Sequence, residues 1–442
     1  MSGTTASLRD RQAAWFRSAF EEFERSLNGE TGRPFHQRRR EAIAAFADSG
    51  FPTTHEEEWR FTDLTPLAGI RFALPAPGVG ELPEGLGIPS GLPKGIVLIN
   101  GGFSPAHSRL PQLPPGCRIE SLAQVLARTP GDVEDHFSRT AIQGENPFAA
   151  LGTAFTRDGL FVSIPPNTVV TGPIVILTAA AGQTSPALLH PRLFVSVGDN
   201  SQVSLIQIFA GAPGQQSLTN ALCDIVIGDG AVVTYDKIQK EPPEMYHIAT
   251  IRSRQGRSST FASTSVTLGG ALTRNTITAV LDGDGAEATL NGLYLGTGGR
   301  LIDNHTAIDH AKPHCNSYEL YKGILAGRSR GVFNGKIFVR KDAQKTDAKQ
   351  TNKNLILSDD AAIDTKPQLE IYANDVKCTH GATIGQLEEE SLFYLRTRGI
   401  NADDARDLLI YAFASDVIDR IPHPGLRAGL QSMIHDALQK ER

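Results

Sequence analysis

Cysteine is scarce in this 442-residue chain: only Cys117, Cys223, Cys315 and Cys378, widely scattered, with no CxxC pair. That scatter excludes a disulfide framework and the local thiolate spacings of many zinc and iron–sulfur sites. Aromatic residues make up only 7%. No apolar run approaches the eighteen residues of a membrane span, so no membrane partner is expected. The first 28 residues carry charges throughout and lack the apolar segment of a signal peptide. Together with the cysteine usage, this points to the cytoplasm. Net charge is -5 with dispersed basic residues, which offers no electrostatic footprint for nucleic acid.

Glycine (43) and proline (26) are plentiful, and they punctuate the chain into turns. Residues 1–95 read as an N-terminal helical region. Leu8, Trp15, Phe16, Ala19, Phe20 and Phe23 recur at helical steps over 7–27, and a second helix is predicted from Phe35 to Asp48. His55 and the three glutamates after it lack the second His of HExxH; they read as an acidic first turn, with Trp59 packing inward. A Pro/Gly-rich linker, Ala73 to Gly95, follows.

Residues 96–387 read as a β region. Short β-branched strands are predicted at 160–164, 174–178, 192–197, 202–209, 221–227 and 232–238. Between strands the pattern Gly-Asp-Asn/Gly recurs at Gly198, Gly228 and Gly283, with a weaker copy at Gly256, so successive steps are 30, 28 and 27 residues. A weak repeat of this period, with no helices between strands, predicts a mainly β fold with a parallel β-helix (β-solenoid) core, in which each turn buries its apolar face against the next. A double-sheet sandwich is the alternative. Residues 388–442 return to helical periodicity, with an N-cap at Asn401, apolar Leu408, Leu409, Phe413 and Val417, and breaks at Pro422 and Pro424. This tail can cap an edge strand or meet another protein.

Several motifs fail on context. Gly327-Arg-Ser-Arg-Gly331 matches a nucleophile elbow, but a strand-like run follows instead of a helix. Gly335-Lys336 precedes Ile337 where a P-loop needs Ser or Thr, so no ATP hydrolysis by this chain is expected. His305, His310, His314 and Cys315 crowd eleven residues, yet the odd separation of His305 and His310 puts them on opposite strand faces. Buried, hydrogen-bonded histidines are expected there. Lys341, Lys345, Lys349 and Lys353 read as a solvated surface. Cys378 and His380, two apart in an alternating run, share a strand face roughly 6 to 7 Å apart. Thiol and imidazole both suit iron or zinc.

Six motifs in order, Trp59-Arg-Phe-Thr-Asp-Leu, Asp303-Asn-His-Thr-Ala-Ile-Asp-His, Tyr321-Lys-Gly-Ile-Leu, Ala343-Gln-Lys-Thr-Asp-Ala, Asn354-Leu-Ile-Leu-Ser and Lys377-Cys-Thr-His-Gly-Ala-Thr, resemble the SufB/SufD family of iron–sulfur cluster assembly proteins. The resemblance covers most of the chain. The SufB branch carries a cysteine just before the strand matching Leu355-Ile-Leu357; here Gln350-Thr-Asn-Lys-Asn354 holds no thiol, so the resemblance is to the SufD branch. It implies a non-enzymatic scaffold in a complex with a SufB-like paralogue and the SufC-like ABC-type ATPase, the latter bound through the C-terminal helices. It maps the family's functional histidine onto His380; beside it Cys378 is the candidate second metal ligand, and Leu408, Leu409, Phe413 and Val417 are the candidate docking surface on those helices. No cofactor is expected to stay on the isolated chain; iron or a nascent cluster would bind transiently in the complex. Self-pairing of the isolated chain is compatible with this reading. The rivals are a carbohydrate-active β-helix enzyme and a self-contained metal-binding protein using the His305–Cys315 group with Cys378 and His380.

Overall fold

The β-branched runs become strands that pair in parallel with the strand one full turn later. In the computed structural model Val232 lies opposite Thr260, Thr260 opposite Glu287, Glu287 opposite Asn316, Asn316 opposite Asp347, and Asp347 opposite Lys377. The steps are 28, 27, 29, 31 and 30 residues. The structure describes residues 8–439, apart from 28, 83, 85, 87, 90, 141–145 and 183–185, and gives only the backbone at 8–11 and 438–439. The predicted helix contacts of Leu8 lie outside the described side chains.

Each turn contributes one strand to each of two facing sheets, making a β-solenoid of about eight turns. The first sheet runs from Gly102–Phe103 at one end to Lys377–Gly385 at the other; the second runs from Arg118–Ser121 to Ala362–Ile371. Between the sheets, residues in register on successive strands form columns, such as Val203, Val233, Phe261 and Ala288, all buried. This is the solenoid, not the sandwich.

The glycine repeat marks a structural ladder that continues beyond the glycines. Asn200, Gly230, Ser258, Gly285, His314 and Lys345 all have φ between 52° and 69°. The N–H of each reaches a carbonyl one turn on, from Asn200 to Asp229 (2.8 Å) through His314 to Gln344 (2.9 Å). Asp199 and Asp229 also accept the backbone N–H of Asp229 and Arg257 in the next turn, each at 2.8 Å. A left-handed residue at this corner suits Gly230 without steric cost. At His314 and Lys345 the stacked turn imposes the same conformation on ordinary residues, which is why the repeat fades from the sequence there. His314 is thus an exposed turn residue, unlike the buried histidine expected.

Both outer faces carry helices. The N-terminal segments, including helices Leu8–Arg25, Pro34–Ser49 and Pro147–Ala154, cover part of the second sheet, with Phe148 and Leu151 packing on Leu218, Ile248 and Leu272. Trp59 lies 4% exposed in this layer, as its sequence context predicted. The helices Ala402–Ile418 and Pro424–Gln439 lie on the first sheet, packing Ile410, Val417 and Ile418 with Leu293, Leu320 and Ile324. The tail therefore covers a face. It does not cap the open end, because its apolar side is already matched to the sheet's outward Leu and Ile column.

The solenoid interior is partly polar toward its C-terminal end. Glu319 is fully buried, and its Oε2 accepts a hydrogen bond from Gln350 Nε2 at 2.8 Å. Burial pushes its carboxyl up to about 7. Between the ordinary carboxyl range and pH 7 the unfolded chain loses this proton while the folded chain keeps it, so this group makes stability fall as pH rises through that window. Glu319→Gln should remove that component, seen as a flatter denaturation midpoint between pH 4.5 and 7. An unchanged slope would show that Glu319 ionises freely in the fold.

Candidate functional site

Cys378 and His380 lie on the last strand of the first sheet, opposite Ala348 and Gln350 of the preceding strand. That register continues the interior columns to a point where no further turn lies above them. Cys378 is half-buried against Ile337, Val339, Ala348 and Ala373. Burial first, then the Asp347 carboxylate, pushes its thiol up, so it holds its proton and is a poor ligand until a cation competes for it. His380 is exposed and makes no hydrogen bond or ion pair among the described residues. The structure thus keeps the two side chains on one face, as their spacing predicted.

Among the described residues, no three of His, Cys, Asp and Glu gather to hold a metal ion. His305, His310, His314 and Cys315 part company: His305 faces outward under Glu58, His310 turns inward to Ser317 (2.9 Å), His314 sits on a turn, and the Cys315 thiol bonds the Gly283 carbonyl (3.3 Å). Burial pushes the His310 imidazole down to about 4. The crowded segment is therefore a strand and a corner. Lys341, Lys345, Lys349 and Lys353 are exposed, as expected.

The C-terminal expectations separate by depth. Leu408 is 47% exposed, and Phe393 and Tyr394 near it in sequence are 68% and 57% exposed. Leu409 is half-buried. Phe413 packs beneath the Lys322 ammonium, 4.4 Å from its ring, while Lys322 also bonds the Phe413 carbonyl (3.0 Å) and Asp416 (2.8 Å). Val417 is fully buried on the sheet and cannot itself meet a partner. Placing Val417 on a docking surface is corrected on that ground. The apolar tail residues divide between a face turned to the solenoid and a face turned outward, and helical periodicity could not tell them apart.

Sequence reasoning missed the buried ion pairs of the second sheet and the contacts by which Thr62 and Trp59 join one of them. Asp224 is held by Arg192 and by Arg252 (2.5 Å), all three buried. The Thr62 hydroxyl donates to Asp303 at 2.5 Å, Arg274 pairs with the same carboxylate, and the Arg274 guanidinium stacks 3.7 Å from the Trp59 ring. Burial opposes ionisation of Asp303, but Arg274, then His305, outweigh it and hold the carboxyl at about 2. Only the shared presence of Trp59 and Asp303 in the quoted motifs hinted at the contact.

Comparison with known proteins decides the family. Residues 177–413 match the model "SUF system FeS cluster assembly, SufBD core domain", and residues 88–176 match the "SufBD protein N-terminal region". The chain belongs to the SufB/SufD family. It is 35% identical over 395 residues to an iron–sulfur cluster assembly SufBD family protein of Synechocystis, covering 87% of this chain and 86% of that protein. It is 30% identical over 394 residues to the iron–sulfur cluster assembly protein SufD of Escherichia coli (88% and 90%), and 27% identical over 307 residues to that of Bacillus subtilis (68% and 69%). As a family member the chain is a scaffold subunit of iron–sulfur cluster assembly. The segment 350–354 holds no thiol; within it Asn352 bonds the Tyr321 carbonyl (3.2 Å) and Asn354 bonds Asn352 (2.6 Å).

Proposed function

We propose that this chain is a non-catalytic subunit of a SufBCD-type complex, assisting iron entry and nascent cluster formation where it meets a SufB-like paralogue. The observation that carries the reading is the unfinished end of the solenoid. Lys377–Gly385 and Ala362–Ile371 are the terminal strands of their sheets, each paired on one side only, and Ile371, Tyr372 and Ile384 are exposed there. Such edges invite strand addition from another chain. His380 would then sit at the subunit boundary and offer a neutral imidazole to iron, with Cys378 behind it. Two ligands cannot complete a four-coordinate site, so the remaining ligands come from the partner.

The exposed Phe393, Tyr394 and Leu408 suit the docking of a SufC-like ATPase. Motion there has a mechanical route. Lys322 ties the Ala402–Ile418 helix to the strand Asn316–Leu325, and the strand carrying His380 lies two further on in the same sheet. A pull on the helix would bias the interface between two states only if their contacts differ. The isolated chain could pair the same edges with a second copy. All four cysteines are free thiols, which suits the reducing cytoplasm.

Co-expression with a SufB-like paralogue and a SufC-like ATPase tests this. Both partners should co-purify, Leu408→Glu should cut recovery of the ATPase, and Ile384→Lys should cut recovery of the paralogue. Recovery of this chain alone, under conditions where the partners are expressed and folded, would overturn the reading.

A further inference from the structure

The cleft where Trp59 meets the second sheet is not used by this reading. The cleft has a volume of about 410 Å³.

 That lies near the lower end of the range for small-molecule sites, large enough for a few-carbon acid or a phosphate ester. Its floor is the outward side of consecutive strands, with Thr276, Thr278 and Ala307 half-buried and uncovered, and Trp59 forms a wall. Arg252, Arg274 and Lys336 also line it, against the single carboxylate of Glu58. Asp224, Asp303 and Glu370 pair with these three cations from beside or beneath the cleft.

A purely structural staple accounts for part of this. Thr62 on Asp303, and Arg274 on both Asp303 and Trp59, pin the helical layer to the sheet. It does not account for the donors left over. Arg274 is 3% exposed, yet its Nε finds no acceptor. A buried N–H without a partner costs stability unless something supplies one. The Thr276 and Thr278 hydroxyls beside it make no side-chain hydrogen bond among the described residues. Stacking on Trp59 fixes the guanidinium plane, so this donor is held in place before any ligand arrives.

We propose that this cleft binds a small oxyanion-bearing molecule, a carboxylate or a phosphate ester, through Arg274, the Thr276 and Thr278 hydroxyls and Lys336. Charge-assisted bonds from a guanidinium to such an anion are the strongest the cleft can offer. The site stands apart from His380 and does not depend on the cluster-assembly reading.

Isothermal titration of the full chain at low salt, with inorganic phosphate and separately with citrate, tests it. One-to-one saturable binding of at least one probe is expected. Phosphate alone would mark a phosphate site, citrate alone a carboxylate site, and both a general oxyanion site. Ala307→Leu, which fills the floor without touching an ion pair, should weaken binding on the order of tenfold, as should Thr278→Val, with the melting temperature unchanged. Arg274 itself is left intact, because removing it strands Asp303. No saturable heat with either probe, or binding that Ala307→Leu leaves undiminished, overturns the proposal.

Discussion

A His380→Ala chain is expected to co-purify with its partner subunits in normal yield while the assembled complex loses most of its cluster. The side chain is exposed and makes no described intramolecular bond, so its removal should leave folding and melting untouched. Losing even an outer-sphere partner of a metal ligand costs about 10–100-fold in affinity, so losing a ligand should cost at least about tenfold. The measurement is iron and acid-labile sulfide per complex after anaerobic assembly. Cys378→Ser should have a smaller effect, since the thiol is half-buried and held protonated. Undiminished cluster yield from His380→Ala would remove that residue from the mechanism, whereas a complex that fails to assemble would give it a structural role at the edge instead.

The second large effect is on stability. Asp224→Asn should lower the unfolding free energy by about 3–5 kcal/mol, because it leaves two buried guanidiniums, Arg192 and Arg252, without their shared counter-charge. Burial pushes the Asp224 carboxyl up to about 6 against the pull of Arg192, so the pair is ionised at pH 7.5, where the comparison should be made. Asp364→Asn serves as the contrast. Its partner Arg330 is 47% exposed, and breaking that pair should cost no more than about 1 kcal/mol. Denaturant midpoints read both. Equal, small losses would mean that the buried guanidiniums find other acceptors.

Much of the fold was legible in the chain. The period near thirty residues exists because a solenoid turn of fixed circumference needs similar lengths of strand and corner, and Gly228-Asp-Gly230 advertises the corner directly. The ladder became illegible at His314 and Lys345, where stacking on the neighbouring turn holds an ordinary residue at positive φ and no special residue type is needed. The Cys378/His380 pair was legible for a similarly local reason: alternate residues of a strand share a face. The depth of Val417 was not, because a helix with apolar residues on most of its circumference does not say which side meets the sheet.

By itself, the sequence determined the solenoid, its helical flanks and the thiol–imidazole pair, since all three follow from periodicities of two, 3.6 and about thirty residues. Tertiary structure alone decided that the C-terminal helices lie on a face and leave the last strands open. It alone brought Trp59 and Thr62 to Arg274 and Asp303, more than two hundred residues away. Those outcomes depend on which surfaces meet after the chain has coiled, and a linear pattern holds no record of that until the coil exists.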